Sequence, residues 1–164
     1  MNQELTIGAA QKLTSPNPFA LLTVRKPDGS DNVMAVSWWT YTSNHPASLA
    51  VCLSKKGYSG QCIQAEGRFA VNIVAEALHE AAFRCGTCSG RDRDKAAEFG
   101  VPIAQDASGV PYVPGSRVTF LCKLTQSVPL DDHVLYLAEI EKIYGDEDVR
   151  ALYAWNGYGA LRPV

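Results

Sequence analysis

A chain of 164 residues, 46% hydrophobic and 20% charged, has the length and composition of one ordinary soluble domain, which excludes a disordered chain and leaves no apolar run of membrane-spanning length. Its net charge of −2 argues against a nucleic-acid partner, which would leave a basic footprint. Five cysteines, an odd number in a chain that needs no staple, fit reduced thiols, and the opening Met-Asn-Gln-Glu-Leu-Thr has neither a basic nor an apolar signal region, so the cytoplasm is the expected compartment.

The residues through Ala10 carry little periodicity, and Ser15-Pro-Asn-Pro18 marks a turn before the buried strand Phe19–Val24. Lys26-Pro-Asp-Gly-Ser30 is a second turn. Its proline presets φ and its glycine accepts a positive φ, so Asp31–Thr40 folds back antiparallel on the first strand. Asn44-His-Pro-Ala47 then breaks the chain ahead of Ser48–Leu53, whose unbroken apolar run predicts burial on both faces and a central place in the sheet. The basic turn Lys55-Lys-Gly-Tyr-Ser59 opens a short helix, with Ser59 as N-cap, Gly60–Glu66 as body and Gly67 at C′. A strand, Arg68–Val74, and a helix, Ala75–Arg84, lead to the loop Cys85-Gly-Thr-Cys-Ser-Gly90. A second short helix, Asp92–Phe99, is closed by Gly100, and Ala104–Gly115 is rich in turn residues. Two long strands, Ser116–Val128 and His133–Tyr144, pair across Pro129-Leu-Asp-Asp132, and the tail from Val149 carries Tyr153, Trp155 and Tyr158.

Strands outnumber helices, which are short. The expected fold is mainly β with short helices, a closed or partly closed antiparallel Greek-key barrel forming one domain over residues 1–164. The strands do not alternate with long helices and no Gly-x-Gly-x-x-Gly occurs, which disfavours a doubly wound dinucleotide fold.

The chemistry concentrates between Asn32 and Val74. A Lys-Lys-Gly-Tyr-Ser turn opening a helix suits a phosphate, because the first helical N–H groups lack partners and point outward with the positive end of the dipole. Without the Tyr-Ser that follows, the same lysine pair would more often be a solvated turn. Trp38 and Trp39 are adjacent on a strand and face opposite sides, so at most one meets a flat ring. Cys85-Gly-Thr-Cys88 has the spacing of a redox dithiol or half a zinc site, but a thioredoxin-like context needs a strand before it and a helix after, and no second cysteine pair follows. Two loop cysteines remain the plainer reading, with a redox-sensing thiol beside Lys95 still open.

Taken together, Asn32-x-Met-Ala-x-Ser-Trp38, Pro46 before a buried strand, Tyr58-Ser59 opening a helix, Gly67-x-Phe-x-Val-Asn72, Ser89-Gly-Arg-x-x-Asp-Lys95 and Asp132-His133 opening a strand resemble the flavin reductase-like family of FMN-binding split barrels, which includes flavoredoxin. The resemblance implies FMN as cofactor, NADH or NADPH as electron donor, a homodimer with flavin near the interface, and reduction of FMN as the reaction. A flavoredoxin-like carrier with permanently bound FMN that serves a redox protein partner is the alternative, and a barrel that has lost flavin or binds haem is a third. By the same resemblance Asn32 and Trp38 line the flavin ring, with the Met34, Ala35, Val36 and Ser37 backbone close to its polar edge. Lys55, Lys56, Tyr58 and Ser59 hold the phosphate, and Lys95 and His133 approach the same cofactor. Ser59 stands where threonine is more usual and keeps the hydroxyl. An aromatic of the tail covers the flavin in this pattern, and Tyr158 is taken for that role with Tyr153 and Trp155 as competitors. Read from residues alone, Asn32 also fits a plain turn-to-strand position and His133 a solvent-facing hairpin residue.

Overall fold

A computed structural model describes residues 3–164. Its helices are α1 (Ile7–Leu13), α2 (Tyr58–Glu66), α3 (His79–Cys85, preceded by a 3-10 turn at Glu76–Leu78) and α4 (Lys95–Phe99). The strands are β1 (Asn17–Pro18), β2 (Ala20–Arg25), β3 (Asp31–Val36), β4 (Trp39–Asn44), β5 (Ala47–Ser54), β6 (Arg68–Ile73), β7 (Ala104–Gln105), β8 (Pro111–Tyr112), β9 (Val118–Pro129), β10 (His133–Gly145), β11 (Leu152–Trp155) and β12 (Ala160–Pro163). Among the described residues no helix is long and apolar enough to cross a membrane.

The main sheet has seven antiparallel strands in the order β3-β2-β6-β9-β10-β5-β4. Its two edges, β3 and β4, are consecutive in the chain and separated only by Ser37 and Trp38. A sheet whose first and last strands are so tethered must roll up. One cluster confirms it: Ala20, Leu22 and Val24 meet Val36, Leu49, Val51, Phe69, Val71, Phe120 and Ala138 around a shared interior, with Cys62 and Ile63 of α2 plugging it. The edges meet at that joint but do not pair along their length, so the barrel is split rather than closed.

Local chemistry explains the main elements. The turn after β2 closes with Lys26 N–H donating to the Ser30 carbonyl at 2.7 Å, and Gly29 takes the positive φ of 85° that the turn needs. In β6, Asn72 is fully buried and bonds in four directions. Its amide donates to the Leu21 carbonyl and Thr23 hydroxyl, and its oxygen accepts from Val113 N–H and the Thr119 hydroxyl.

Several expectations shift. The strand foreseen over Asp31–Thr40 is two strands, broken where the chain crosses from one sheet edge to the other. β5 lies next to the edge rather than at the centre, because β4 folds back onto it. α1 arises from residues without apolar periodicity and buries none of its side chains. The helix foreseen over Ala75–Arg84 begins as a 3-10 turn, and Asp92–Phe99 becomes α4 alone, capped by Asp94 accepting from Ala97 N–H at 3.0 Å. The tail forms the β11–β12 hairpin, joined to β1 in a small second sheet.

Candidate functional site

The joint between the sheet edges is also the floor of a cavity of about 310 Å³. Met34 to Trp38 form one wall, Cys52, Leu53 and Ser54 of β5 another, and Gln11, Gly86, His133 and Tyr158 complete the rim. The joint holds β5 directly, since Cys52 N–H donates to the Trp38 carbonyl at 2.8 Å. Trp38 turns into the cavity while Trp39 packs the other way against Phe120, 6.1 Å between ring centroids. His133 stacks on Trp38 at 4.8 Å with 27° between planes, and its Nδ1 bonds the Asp132 carboxylate at 2.7 Å, a bond that lowers the carboxyl pKa. Tyr158 is exposed as a residue, yet its phenol end is turned toward Ser37, and desolvation pushes its pKa up against that hydroxyl's opposing pull. Ser37 itself donates to the Pro18 carbonyl.

A second cavity of about 180 Å³ shares Met34, Ala35 and Gly86 with the first, so the two form one continuous groove. Its walls are Lys56, Gly57, Tyr58 and Ser59 at the start of α2, faced by Cys85, Cys88, Ser89, Gly90 and Lys95. The N-cap of α2 is Gly57, which has no side chain to satisfy the first N–H groups, so those donors stay available to a ligand. Ser59 is therefore not the cap that sequence spacing indicates. It sits inside the first turn, where its Oγ accepts from Asn32 Nδ2 at 2.8 Å and its own hydrogen remains free to donate.

Asn32 is 3% exposed and its Oδ1 has no hydrogen-bond partner among the described residues. Gly90 lies directly over that oxygen, and a Cβ there would fall 2.0 Å from it, so only glycine fits. Lys95 is 4% exposed, and its Nζ donates to the carbonyls of Cys85 at 2.9 Å and Cys88 at 3.0 Å. Burial lowers its pKa. A buried ammonium among neutral carbonyls is stabilised by an anion, so this end of the groove can receive one.

All the residues singled out from sequence line the groove except Asn32 and Lys55. Asn32 lies just behind it, acting on Ser59. Lys55 turns away and donates to the Asp131 carbonyl at 2.9 Å, tethering the β9–β10 hairpin, because consecutive turn residues project in different directions. Of the tail aromatics Tyr158 lines the first cavity, Tyr153 lines a separate groove beside Trp39, and Trp155 lies under the Arg162 guanidinium at 5.1 Å. Gln11, Cys52, Leu53, Ser54, Gly86, Ser89 and Gly90 also line the groove and were not singled out. Only the Ser89-Gly90 pair carried a sequence signal. Among the described residues no group of three His, Cys, Asp or Glu could hold a metal, and His79 bonds the Leu161 carbonyl at 2.8 Å.

The geometry thus offers a slot for a flat ring at the sheet joint and an anion subsite at the α2 N-terminus, one groove apart. The family described as flavin reductase like domain matches residues 13–162. The NADH:riboflavin 5′-phosphate oxidoreductase of Streptomyces pristinaespiralis is 27% identical over 85% of this chain and 77% of its own length. The NADH-dependent FMN reductase RutF of Cronobacter sakazakii is 29% identical over 88% of this chain and 86% of its own. In structure, a flavoredoxin from Methanosarcina acetivorans superposes with a TM-score of 0.88 over 100% of this chain and 91% of that one, at 19% identity, a likeness of fold.

Proposed function

The chain belongs to the flavin reductase like family, and from that premise we propose that it binds FMN along this groove and reduces it with NADH or NADPH. The observation that carries the choice of a phosphorylated flavin is Lys95, a buried ammonium with two carbonyls and no acidic partner among the described residues, beside an uncapped helix N-terminus. The groove's shape fits the cofactor. An apolar slot walled by Met34–Trp38, His133 and Tyr158 suits an isoalloxazine ring, and the subsite of Lys56, Tyr58, Ser59 and Lys95 suits a phosphate.

When bound, FMN supplies a ring that accepts a hydride or two single electrons. The protein's own groups bind and orient. Ser59 accepts from Asn32 through one lone pair and keeps its single hydrogen to donate, so it favours an acceptor such as a phosphate oxygen. Trp38 and His133 form a stacked wall at the cavity mouth, and Asp132 holds the imidazole in place from the far side. Tyr158 and Ser37 close the opposite rim.

Two exposed side chains, Tyr41 at 61% and Ile143 at 57%, both neighbour Phe120, the first at 5.8 Å between ring centroids and the second as its cross-strand partner, and they support a homodimer interface there. Purified protein titrated with FMN and assayed with NADH and NADPH tests the proposal. Tight FMN binding with nicotinamide-dependent reduction is the expected result. Bound FMN without turnover would instead mark an electron carrier for a redox protein partner, and no flavin binding would end the reading.

A further inference from the structure

The loop that clasps Lys95 contains both cysteines of Cys85-Gly-Thr-Cys88, and the flavin reading gives their thiols no task. Both line the anion end of the groove. The carbonyls of these same two residues are the acceptors that hold Nζ of Lys95, at 2.9 and 3.0 Å. The chain leaves α3 there, with Gly86 N–H on the Phe83 carbonyl at 3.1 Å and Thr87 N–H on the Arg84 carbonyl at 3.0 Å ending the helix. Two residues three apart whose carbonyls grip one nitrogen are held near each other, and a disulfide between them needs Cα atoms no more than about 7 Å apart.

We propose that Cys85 and Cys88 are a modification site, a dithiol that a hydroperoxide converts to a disulfide and that thereby unseats Lys95 from the anion subsite. The inference rests on the flavin reading for its consequence but not for its chemistry. Cys88 is the attacking thiol, because it is half-buried on the groove, whereas Cys85 is buried and desolvation pushes its pKa up to about 11. The Cys88 sulfur attacks one peroxide oxygen, the O–O bond breaks, and one water leaves with a sulfenic acid formed on Cys88. The Cys85 sulfur then attacks that sulfur, an S–S bond forms, the S–O bond breaks, and a second water leaves. The two thiols lose two electrons and two protons, and hydrogen peroxide is reduced to two waters. Its source is at hand, since dioxygen that takes two electrons and two protons from a reduced flavin becomes hydrogen peroxide.

Closing the disulfide fixes the relative orientation of the two peptide groups that carry the clasping carbonyls. Nζ cannot keep both bonds once those carbonyls turn, so the ammonium loses its seat at the subsite. A redox dithiol serving flavin directly is the less fitting use of the pair, because both residues line the anion end and neither lines the ring cavity.

The test uses purified full-length protein, reduced and then treated with hydrogen peroxide. Peptide mass spectrometry should show a Cys85–Cys88 link with loss of two hydrogens, and amine labelling of Lys95 should rise several-fold on oxidation and fall again with dithiothreitol. FMN affinity should drop about tenfold on oxidation while riboflavin affinity stays constant. In Cys88→Ser, peroxide should change neither labelling nor affinity. Absence of the link, or a link that leaves Lys95 labelling unchanged, overturns the proposal. If the reduced protein fails to bind FMN, the flavin reading falls, while the link and the labelling still decide the clasp.

Discussion

Lys95 is held by two neutral carbonyls in a buried pocket, and that imbalance has measurable consequences. Its folded pKa lies below the ordinary lysine value of 10.5, so in the window between the two the empty protein carries less than a full proton there. A phosphate in the subsite favours the charged form and raises the pKa again, so FMN binding in that alkaline window takes up protons. Calorimetry in buffers of different ionisation enthalpy should show this uptake, and Lys95→Met should abolish it. Ser59→Ala and Lys56→Ala test the same subsite by ligand choice: losing one charged hydrogen bond costs about 1.5–3 kcal/mol, so preference for FMN over riboflavin should fall roughly ten- to a hundredfold. Equal loss for both flavins would remove these residues from the phosphate site. The groove lining at the start of α2 was readable from sequence as a basic turn opening a helix, but Lys55 and Lys56 look alike on paper. Only the course of the β9–β10 hairpin sends Lys55 to Asp131 and leaves Lys56 on the groove.

At the scale of elements, α2 is seated through Gly60, where a Cβ would fall 2.4 Å from the Tyr136 hydroxyl oxygen. Gly60→Ala should therefore lower stability by about 1–3 kcal/mol in denaturant unfolding, with Tyr136→Phe restoring much of it in the double variant. Failure of that rescue would mean the clash is not what seats the helix. β6 depends on Asn72 in the same manner. Asn72→Ala leaves Thr119 and Val113 donors and a Leu21 carbonyl without their side-chain partner in the core, so a loss of about 2–5 kcal/mol is expected. The long strands were legible because their apolar runs are interrupted by Pro, Gly and Asn at each turn. α1 was not, since a helix that buries nothing leaves no apolar period to read. Nor was the break between β3 and β4, because Val-Ser-Trp-Trp is good strand sequence on both sides and only the rolling of the sheet forces the crossing.

At the scale of the molecule, an aromatic and aliphatic face around Tyr41 and Ile143 predicts a dimer. Sedimentation equilibrium at micromolar protein should give twice the chain mass, and Tyr41→Asp with Ile143→Asp should return a folded monomer. A wild-type monomer with tight FMN binding would place that face outside any self-association. The joint of Ser37 and Trp38 has a different consequence. It belongs to neither edge strand, yet it is where the rolled sheet is stitched and where the ring cavity has its floor. Breathing of the barrel along its seam and opening of the cofactor slot are then one fluctuation seen from two sides. A ring lodged in the slot acts as a wedge against that fluctuation, so amide exchange at Cys52, whose N–H rests on the Trp38 carbonyl, becomes a clock for cofactor residence, ticking more slowly the longer the flavin stays.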